Sequence, residues 1–573
     1  MPERYLITAA LPYVNNVPHI GNIAGSHLPA DIFARYCRLK GRETIFIGGT
    51  DEHGSPSEIA AEKANIPVEE LCETFYKIHR QIYDWFELSY DNFSRTSKPL
   101  HHEITKEFFL ELQKNGFISE QKTMMPYCVK DKRFLADRFV EGKCPKCGSD
   151  AARGDQCEQC GTLLTPADLI KPYCVLCKTR PEMKETTHLF LNLDQLQPKL
   201  EEWLKKNAHW KPQVKNLAMG WIREGLKKRA ITRDLKWGVK VPIEGYGNKV
   251  LYVWFDAPIG YISSTKEWIL RSKLIENKDY EFKKWWIDRK TKLFHFIGKD
   301  NIPFHTIFFP AMLLGEGHYI LPYQVSGYQY LNYEGGKISK SKGHGIFCET
   351  FIEDAKDALP ADVWRFYLAL KLPEIRDTEF TWSEFESRVN TELMGNFSNF
   401  VNRVTNFIET KKFGIIKRPG KITKEDEEML NQIKIHVEKV DELYGGLEIV
   451  SALQTILELS AKGNQYFQTA EPWKRAERQE AVLWICANIC KSLGVMLSPI
   501  IPEASRKIRK ILGLGMEYDW DDALKLLPNA HKIGKSEILF YRLEPAKILE
   551  LKAKTTKIGK VEDKLGKHKA HPD

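Results

Sequence analysis

The stretch RYLITAALPYVNNVPHIGN, residues 4–22, decides the fold. Residues 4–10 read as a short strand, and residues 20–40 read as a helix whose apolar side is Ile23, Leu28, Ile32, Phe33 and Tyr36. A second strand-like run, residues 44–48, follows Gly41. Strand, helix and strand in this order are the rhythm of a parallel sheet with a right-handed crossover. Such sheets bind ligands beyond the carboxyl ends of their strands. The segment that falls there is LPYVNNVPHIGN, residues 11–22.

Within it, Pro18-His19-Ile20-Gly21-Asn22 sits where strand turns into helix, a place where backbone N–H groups and the helix dipole favour phosphate. The His19 imidazole and the Asn22 amide can donate to phosphoryl oxygens, and Gly21, with no side chain, admits an adenine ring against the backbone. Taken alone, the same residues read more readily as a helix cap or a satisfied surface histidine. A second feature far down the chain supports the phosphate reading: Lys337-Ile338-Ser339-Lys340-Ser341, inside the glycine-flanked segment NYEGGKISKSKGHG at 332–345. Two ammonium groups on such a loop, Lys337 and Lys340, can neutralise nucleotide phosphates and the charge that develops during nucleotidyl transfer. No G-x4-G-K-[ST] stretch is present, so a P-loop ATPase finds no support.

Working outward, helical patterns run through residues 58–86 and 101–115, and near residue 121 the texture changes to Gly, Pro and Cys. Strand-like runs return at 249–255, 292–297 and 323–326. From 384 to 513 apolar residues recur at spacings of three and four, as in Leu393, Phe397, Phe400, Val401, Val404, Phe407 and Ile408. The last 23 residues hold seven Lys against three acids with little periodicity, which reads as a solvated tail. The expected class is α/β: a split Rossmann-like parallel sheet with a zinc-knuckle insertion, followed by an α-helical bundle. The expected divisions are 1–118 and 221–325 for the two halves of the Rossmann domain and 119–220 for the insertion. The KISKS loop and stem-contact region takes 326–383, the helical domain 384–530 and the basic tail 531–573.

Seven of the twelve cysteines fall between Cys128 and Cys177. Cys144, Cys147, Cys157 and Cys160 form C-x2-C-x9-C-x2-C, with Gly148 and Gly161 each following the second cysteine of a pair. Two such knuckles present four thiolates to one tetrahedral Zn²⁺ with no open position, a structural site. Cys174 and Cys177 form a further CxxC, and Cys128 with Asp131 lies upstream. Three thiolates and a carboxylate there would hold a second zinc; the alternative is three reduced, buried thiols.

Hydrophobic residues make up 43% and charged residues 28%, which excludes global disorder. Lys plus Arg exceed Asp plus Glu by 85 to 76, a net +9 that permits polyanion binding without demanding it. Lys299 and Asp300, then Lys491, interrupt the longest apolar runs, so no membrane span is expected, and the N-terminus lacks the pattern of a secretory signal. These features point to a cytoplasmic protein.

Together HIGN at 19–22 and KISKS at 337–341, on a sheet split by an insertion, resemble the two signatures of the class I aminoacyl-tRNA synthetases. Within the class the likeness is greatest to the methionyl-tRNA synthetases, and it covers nearly the whole chain from ALPYVNN at 10–16 onward. GTDEHG at 49–54, YVWFDAPIGY at 252–261, FIGKDNIPFH at 296–305 and the cysteine knuckle are similar to that family's segments in content and order. Asn22 stands where many class I enzymes carry a second histidine, which resembles the archaeal and eukaryotic branch.

The resemblance implies ATP-dependent ligation of methionine to initiator and elongator methionine tRNA through methionyl-adenylate, with Mg²⁺ accompanying ATP. It implies that His19, Asn22, Lys337 and Lys340 are catalytic, and that Gly21, Gly298 and Asp300 join them in contacting ATP. Asp51 would pair with the methionine ammonium group, and Leu11, Tyr13, Trp254, Ala257, Pro258, Tyr261, Ile297, Phe304 and His305 would surround its side chain. Asn399 and Arg403, spaced i, i+4 away from the apolar stripe, and Trp473 would read the anticodon. The appended domain through which many relatives dimerise has no counterpart in the sequence, so a monomer is expected. Three other readings are weighed: another class I synthetase such as the cysteine enzyme, a zinc-knuckle RNA-binding protein without catalysis, and a small-molecule nucleotidyltransferase of the same superfamily.

Overall fold

The computed structural model describes residues 3–555 apart from 151, 158, 161, 163, 340–342, 354–358, 413 and 516. Five strands form one parallel sheet: β1 (Arg4–Ala9), β2 (Glu43–Thr50), β3 (Asn92–Arg95), β4 (Thr291–Gly298) and β5 (Pro322–Tyr328). Their order is β5-β4-β1-β2-β3, so the winding reverses between β1 and β4. Ile7 at the centre of β1 is in register with Phe294 on one side and Phe46 on the other. Because successive side chains of a strand point to opposite faces, the sheet feeds two cores. Ile7, Phe46 and Phe294 pack on one side, and Leu6, Ile45 and Leu293 on the other. Both faces are covered, as a parallel sheet requires.

The insertion leaves this frame as a long antiparallel pair, Ile118–Cys128 with Glu182–Leu191, in register from Ile118 opposite Leu191 to Tyr127 opposite Glu182. At its far end lies a small three-stranded sheet, Val140–Lys143, Ala152–Arg153 and Ile170–Cys174. Its own core includes Leu135, Phe139, Val140 and the buried cysteines Cys128, Cys144, Cys157 and Cys174. The helices Leu193–Lys206 and Pro212–Glu224 then return the chain to the sheet, with Leu196, Leu200 and Val214 entering the same core as Leu6.

Two expectations are corrected. The strand expected over 249–255 is only Val250–Leu251, paired with Thr232–Arg233, and Val253–Asp256 is helical. A short apolar run buried on all sides does not distinguish strand from helix by periodicity. The tail expected from residue 531 is in large part folded. His531–Lys532 pairs with Ile415–Ile416, Leu539, Phe540 and Leu543 are buried, and Pro545–Thr555 is a helix that buries Ile548 and Leu551. Its lysines mask an apolar pattern that finds partners only in three dimensions. Residues 556–573 lie outside the described residues.

The C-terminal half is a bundle of Asn399–Lys412, Lys424–Gly445, Ile449–Ala470, Gln479–Leu497 and Pro502–Ile511. Among the described residues, one segment, Ala476–Leu497, has the length and hydropathy of a membrane span. In its most apolar 18-residue stretch 94% of the residues are buried within the bundle, which accounts for its apolar character.

Candidate active site

The helix after β1 does not run smoothly. It begins as Ile20–Asn22, passes through a π-helical turn at Ile23–His27 and continues as Leu28–Leu39. The π turn places Ser26 so that its hydroxyl accepts from the Ala10 N–H (2.9 Å) and donates to the Phe296 carbonyl (2.7 Å). One side chain thus joins the helix to the carboxyl ends of β1 and β4, where the sheet reverses.

His19 is the N-cap of this helix. Its Nδ1 accepts from the Asn22 N–H at 3.3 Å, and the Asn22 side-chain oxygen accepts from the His19 N–H at 3.0 Å, a reciprocal capping box. An accepting Nδ1 places the ring proton on Nε2, and an accepting Oδ1 leaves the Asn22 amide N–H groups as donors. A Cβ on Gly21 would come within 3.0 Å of the His19 ring and 3.3 Å of Ile338 Cδ1, so glycine here lets the two signature segments meet. They are also tied through the backbone: Ile20 N–H donates to Ile346 O at 3.1 Å, and Cys348 N–H to Pro18 O at 2.9 Å. Ser339 and His344 exchange both backbone hydrogen bonds at 2.8 and 3.0 Å and so frame the loop between them.

A cavity of about 550 Å³ opens at this junction. Leu11, Tyr13, His19, Gly21 and Asn22 line it together with Trp254, Gly298, Asp300, Phe304 and Lys337. Trp254 and Phe304 stack at 3.7 Å between centroids. Asp51, Ala257, Pro258, Tyr261, Ile297 and His305 are not on the cavity wall; all are buried. Burial, then the charge of Asp256, pushes the Asp51 carboxyl well above its ordinary range, and Asp51 Oδ1 has no hydrogen-bond partner. Such an atom, buried and unsatisfied, is costly unless something cationic reaches it. His305 Nδ1 donates to the Asn301 carbonyl at 3.0 Å, and its Nε2 therefore accepts from the Tyr261 hydroxyl at 2.9 Å. Burial brings the His305 pKa down to about 4, so the ring is neutral at pH 7.

Three comparisons bear on this site. Residues 5–405 match the family described as tRNA synthetases class I (M), and residues 416–558 match the anticodon binding domain of methionyl tRNA ligase. The chain belongs to the class I methionyl-tRNA synthetases. Its activity is that of a methionine–tRNA ligase. The methionine–tRNA ligase of Pyrococcus furiosus is 42% identical over 95% of this chain and 76% of its own length. The cytoplasmic enzyme of Caenorhabditis elegans is 43% identical over 96% of this chain and 60% of its own. Against these relatives the chain spans between 60% and 76% of their length. In fold it is similar to Mycobacterium tuberculosis methionyl-tRNA synthetase in complex with methionyl-adenylate, with a TM-score of 0.78 and 24% identity over 95% of this chain and 100% of that one.

For a methionyl-tRNA synthetase the sequence reading missed several residues at the cavity. The Lys299 and Lys337 ammonium groups lie 3.8 and 5.0 Å from the Tyr330 ring centroid, and the Tyr330 hydroxyl donates to Asp300 Oδ2 at 2.5 Å. Arg138, Asp155 and Gln156 reach the cavity from the cysteine insertion, with Arg138 Nε 2.9 Å from Asp155 Oδ2. No local pattern in the sequence marks these three residues, which the insertion brings to the cavity only on folding. Lys340 lies outside the described residues.

The four knuckle sulfurs lie within 4.8 Å of one another, with Cys144 to Cys160 at 3.8 Å and Cys147 to Cys157 at 3.7 Å. A tetrahedral zinc with Zn–S bonds of about 2.3 Å has edges of about 3.8 Å, so the donor set fits the ion. Cys128, Asp131, Cys174 and Cys177 converge likewise, with Asp131 Oδ2 at 3.3 Å from Cys128 Sγ and 3.0 Å from Cys174 Sγ. In the bundle, Arg403 donates to Gln468 Oε1 at 3.0 Å and lies over the Phe467 ring. Trp473, 40% exposed, meets the same ring edge-on at 5.6 Å, and Asn399 is exposed one turn before Arg403.

Proposed function

We propose that the cavity at the β1/β4 reversal performs amino-acid activation with the residues named above. The methionine carboxylate attacks the α-phosphate of ATP, pyrophosphate leaves, and methionyl-adenylate remains. A ribose hydroxyl at the 3′ end of tRNA then attacks the adenylate carbonyl and AMP departs. This chemistry needs alignment and charge neutralisation rather than a protein nucleophile. His19 Nε2–H and the Asn22 amide donate to phosphoryl oxygens in the transition state, Lys337 and Lys340 neutralise the departing pyrophosphate, and Gly21, Gly298 and Asp300 contact the adenosine. Asp51 receives the ammonium group, and Trp254, Phe304, Tyr261 and His305, with Leu11, Tyr13, Ala257, Pro258 and Ile297, enclose the thioether. A thioether is a weak acceptor, so shape and polarizable aromatic contact carry its selection.

The observation that carries this reading is the His19–Asn22 cap, which lies against Ile338 and lines the same cavity as Lys337. Asn399, Arg403 and Trp473 are proposed to read the anticodon of initiator and elongator methionine tRNA, a reading supported by the Phe467 ring that Arg403 and Trp473 share and by the exposure of Asn399 one turn before Arg403. Mg²⁺ enters with ATP. Cys144, Cys147, Cys157 and Cys160 would hold one zinc, and Cys128, Asp131, Cys174 and Cys177 a second; bound there, zinc cross-links the insertion. A cytoplasmic monomer is the proposed working state.

The deciding experiment is pyrophosphate–ATP exchange with Mg²⁺ and each of the twenty amino acids in turn, without tRNA. Exchange with methionine alone is expected. Exchange with another amino acid would overturn the pocket assignment, and none at all, from folded zinc-replete protein, would overturn the assignment of activation to this cavity. Aminoacylation of methionine tRNA unchanged in Trp473→Ala would remove Trp473 from the anticodon reading.

A further inference from the structure

Behind the cavity lies a cluster of titratable groups that the mechanism above does not use. His53 Nδ1 donates to Asp256 Oδ2 at 2.5 Å, and both side chains are fully enclosed, at 1% and 0% exposure. His101, also buried, approaches the same oxygen with Nε2 at 3.9 Å, while its Nδ1 meets the Ser263 hydroxyl at 2.9 Å. His53 Nε2 faces His102 Nε2 at 3.3 Å. Burial pushes the Asp256 carboxyl up, but His53 and His101 outweigh it and hold it below the ordinary range, so the carboxylate is charged.

The two partners of this bond belong to two segments that supply residues of the proposed amino-acid subsite, Asp51 from one and Trp254 from the other. His53 is two residues from Asp51, on the loop that leaves β2, and its backbone N–H favours the charged form of the Asp51 carboxylate. Asp256 ends the helix Val253–Asp256, whose second residue is Trp254 and whose continuation is Ala257-Pro258. The two segments are in close contact. Gly54 has φ +88°, and a Cβ there would lie 3.2 Å from Val253 Cβ. The loop is fixed from its other side too: Asp51 N–H donates to Pro12 O at 2.9 Å, Glu52 N–H to Thr96 Oγ1 at 3.0 Å and Trp237 Nε1–H to Glu52 O at 2.6 Å. Asp256 Oδ1, like Asp51 Oδ1, is buried without a hydrogen-bond partner. The Asp51 carboxyl and the Asp256 carboxylate therefore each keep an unsatisfied oxygen, and because the Asp256 charge acts on Asp51, a cation arriving at Asp51 is attracted by both.

We propose that His53 and Asp256 are positioning residues for the substrate ammonium group: their bond locks the Asp51 loop to the helix of Trp254, and Asp256 supplies a second negative charge behind Asp51. The inference rests on the reading of Asp51 as the ammonium partner. It assigns GTDEHG a division of labour, in which Asp51 meets the substrate, Glu52 anchors the loop through Arg95 at 2.7 Å, His53 reaches across and Gly54 permits the approach.

The test compares Asp256→Asn, His53→Gln and His53→Asn with the wild type in methionine-dependent exchange. Two competitors are titrated alongside: methioninol, which keeps the ammonium group, and 4-(methylthio)butanoate, which lacks it. Misplacing a charged anchor is expected to cost about tenfold or more, so Asp256→Asn and His53→Gln should raise the KM for methionine and weaken methioninol by that factor. The KM for ATP and inhibition by the des-amino analogue should move by less than about twofold. His53→Asn, whose amide nitrogen replaces Nδ1, should restore most of the loss. A loss shared equally by all four ligands, no loss, no rescue by asparagine, or failure of all three variants to fold would each overturn the proposal. Asp51→Asn separates the layers: if it leaves methioninol binding unchanged, the reading of Asp51 fails, and if it weakens methioninol while His53→Gln and Asp256→Asn do not, only the present inference fails.

Discussion

Arg365 Nη2 lies 2.7 Å from Asp31 Oδ2, and both side chains are 0% exposed. Asp31 is on the helix that begins at the His19 cap, and Arg365 is on Ala361–Leu370. The rest of the guanidinium donates to Ile500 O, Phe86 O and Pro499 O at 2.7 to 2.8 Å, so one side chain joins the helix of the cavity to the turn that closes the bundle helix Gln479–Leu497. Arg35 Nε and the Ser89 N–H and hydroxyl complete the satisfaction of Asp31. Breaking a buried pair from one side leaves an uncompensated charge and costs about 3–5 kcal/mol. Arg365→Met should therefore lower the stability of the folded chain by that order in denaturant unfolding, and Arg365→Lys should recover only part, because an ammonium cannot reproduce the fork. A loss under about 1 kcal/mol for Arg365→Met would mean that the remaining partners of Asp31 suffice.

Metal content gives the second prediction. Both sulfur clusters should bind, so purified protein should carry about two zinc ions per chain. Cys157→Ser should remove one and disturb Asp155 and Gln156, which line the cavity immediately before it. Exchange activity should fall along with the zinc, although no knuckle residue takes part in the reaction. A count of one in the wild type would return Cys128, Cys174 and Cys177 to ordinary buried thiols, and unchanged exchange in zinc-depleted Cys157→Ser would detach the insertion from the site.

The pattern of what sequence reveals follows from the range of the interactions. The strand–cap–helix at residues 4–39 was legible because its signals are local: a buried run, a capping pair and a 3.6-residue stripe. The convergence of Cys144, Cys147, Cys157 and Cys160 was legible because the four cysteines lie close in sequence. His53 and Asp256 were not, because at a sequence separation of 203 nothing local signals that they meet. Arg138 and Asp155 were missed for the same reason, since only the folding back of the insertion brings them to the cavity. The π turn at Ile23–His27 left no trace in composition; it shows only in the Ser26 bonds to Ala10 and Phe296 that it makes.

Titration of His305 gives the third prediction. Its folded-state pKa of about 4 is depressed by burial, whereas in an unfolded chain it is about 6.5. The group contributes stability that is fully present above about pH 6.5 and lost as the pH falls towards about 4, to an order of about 3 kcal/mol. The difference in unfolding free energy between wild type and His305→Asn should fall over that window and be flat from pH 7 to 8. The KM for methionine should show no His305-dependent titration between pH 6 and 8, because Nδ1–H is held by Asn301 O and Nε2 already accepts from Tyr261. A KM inflection near pH 6.5 that disappears in His305→Asn would refute this tautomer.

Two truncations separate the folded part of the C-terminal region from its charged end. Residues 556–573 contain five Lys and three acidic residues. Their removal should leave thermal stability and methionine exchange unchanged, while weakening tRNA binding and flattening its dependence on salt, because fewer phosphates are neutralised. Removal from residue 531 should act on the fold instead. It takes away the strand His531–Lys532, the paired bonds between the Asn390 side chain and Leu543 N–H and O at 2.9 Å, and the buried Leu539, Phe540, Leu543, Ile548 and Leu551. At about 1.5–3 kcal/mol for each fully buried large apolar side chain, this loss approaches the whole stability of a domain. The longer truncation should therefore lower the unfolding temperature or abolish soluble protein, and full-length salt dependence retained by the 1–555 chain would assign tRNA contact to the packed region and none of it to the lysine-rich end.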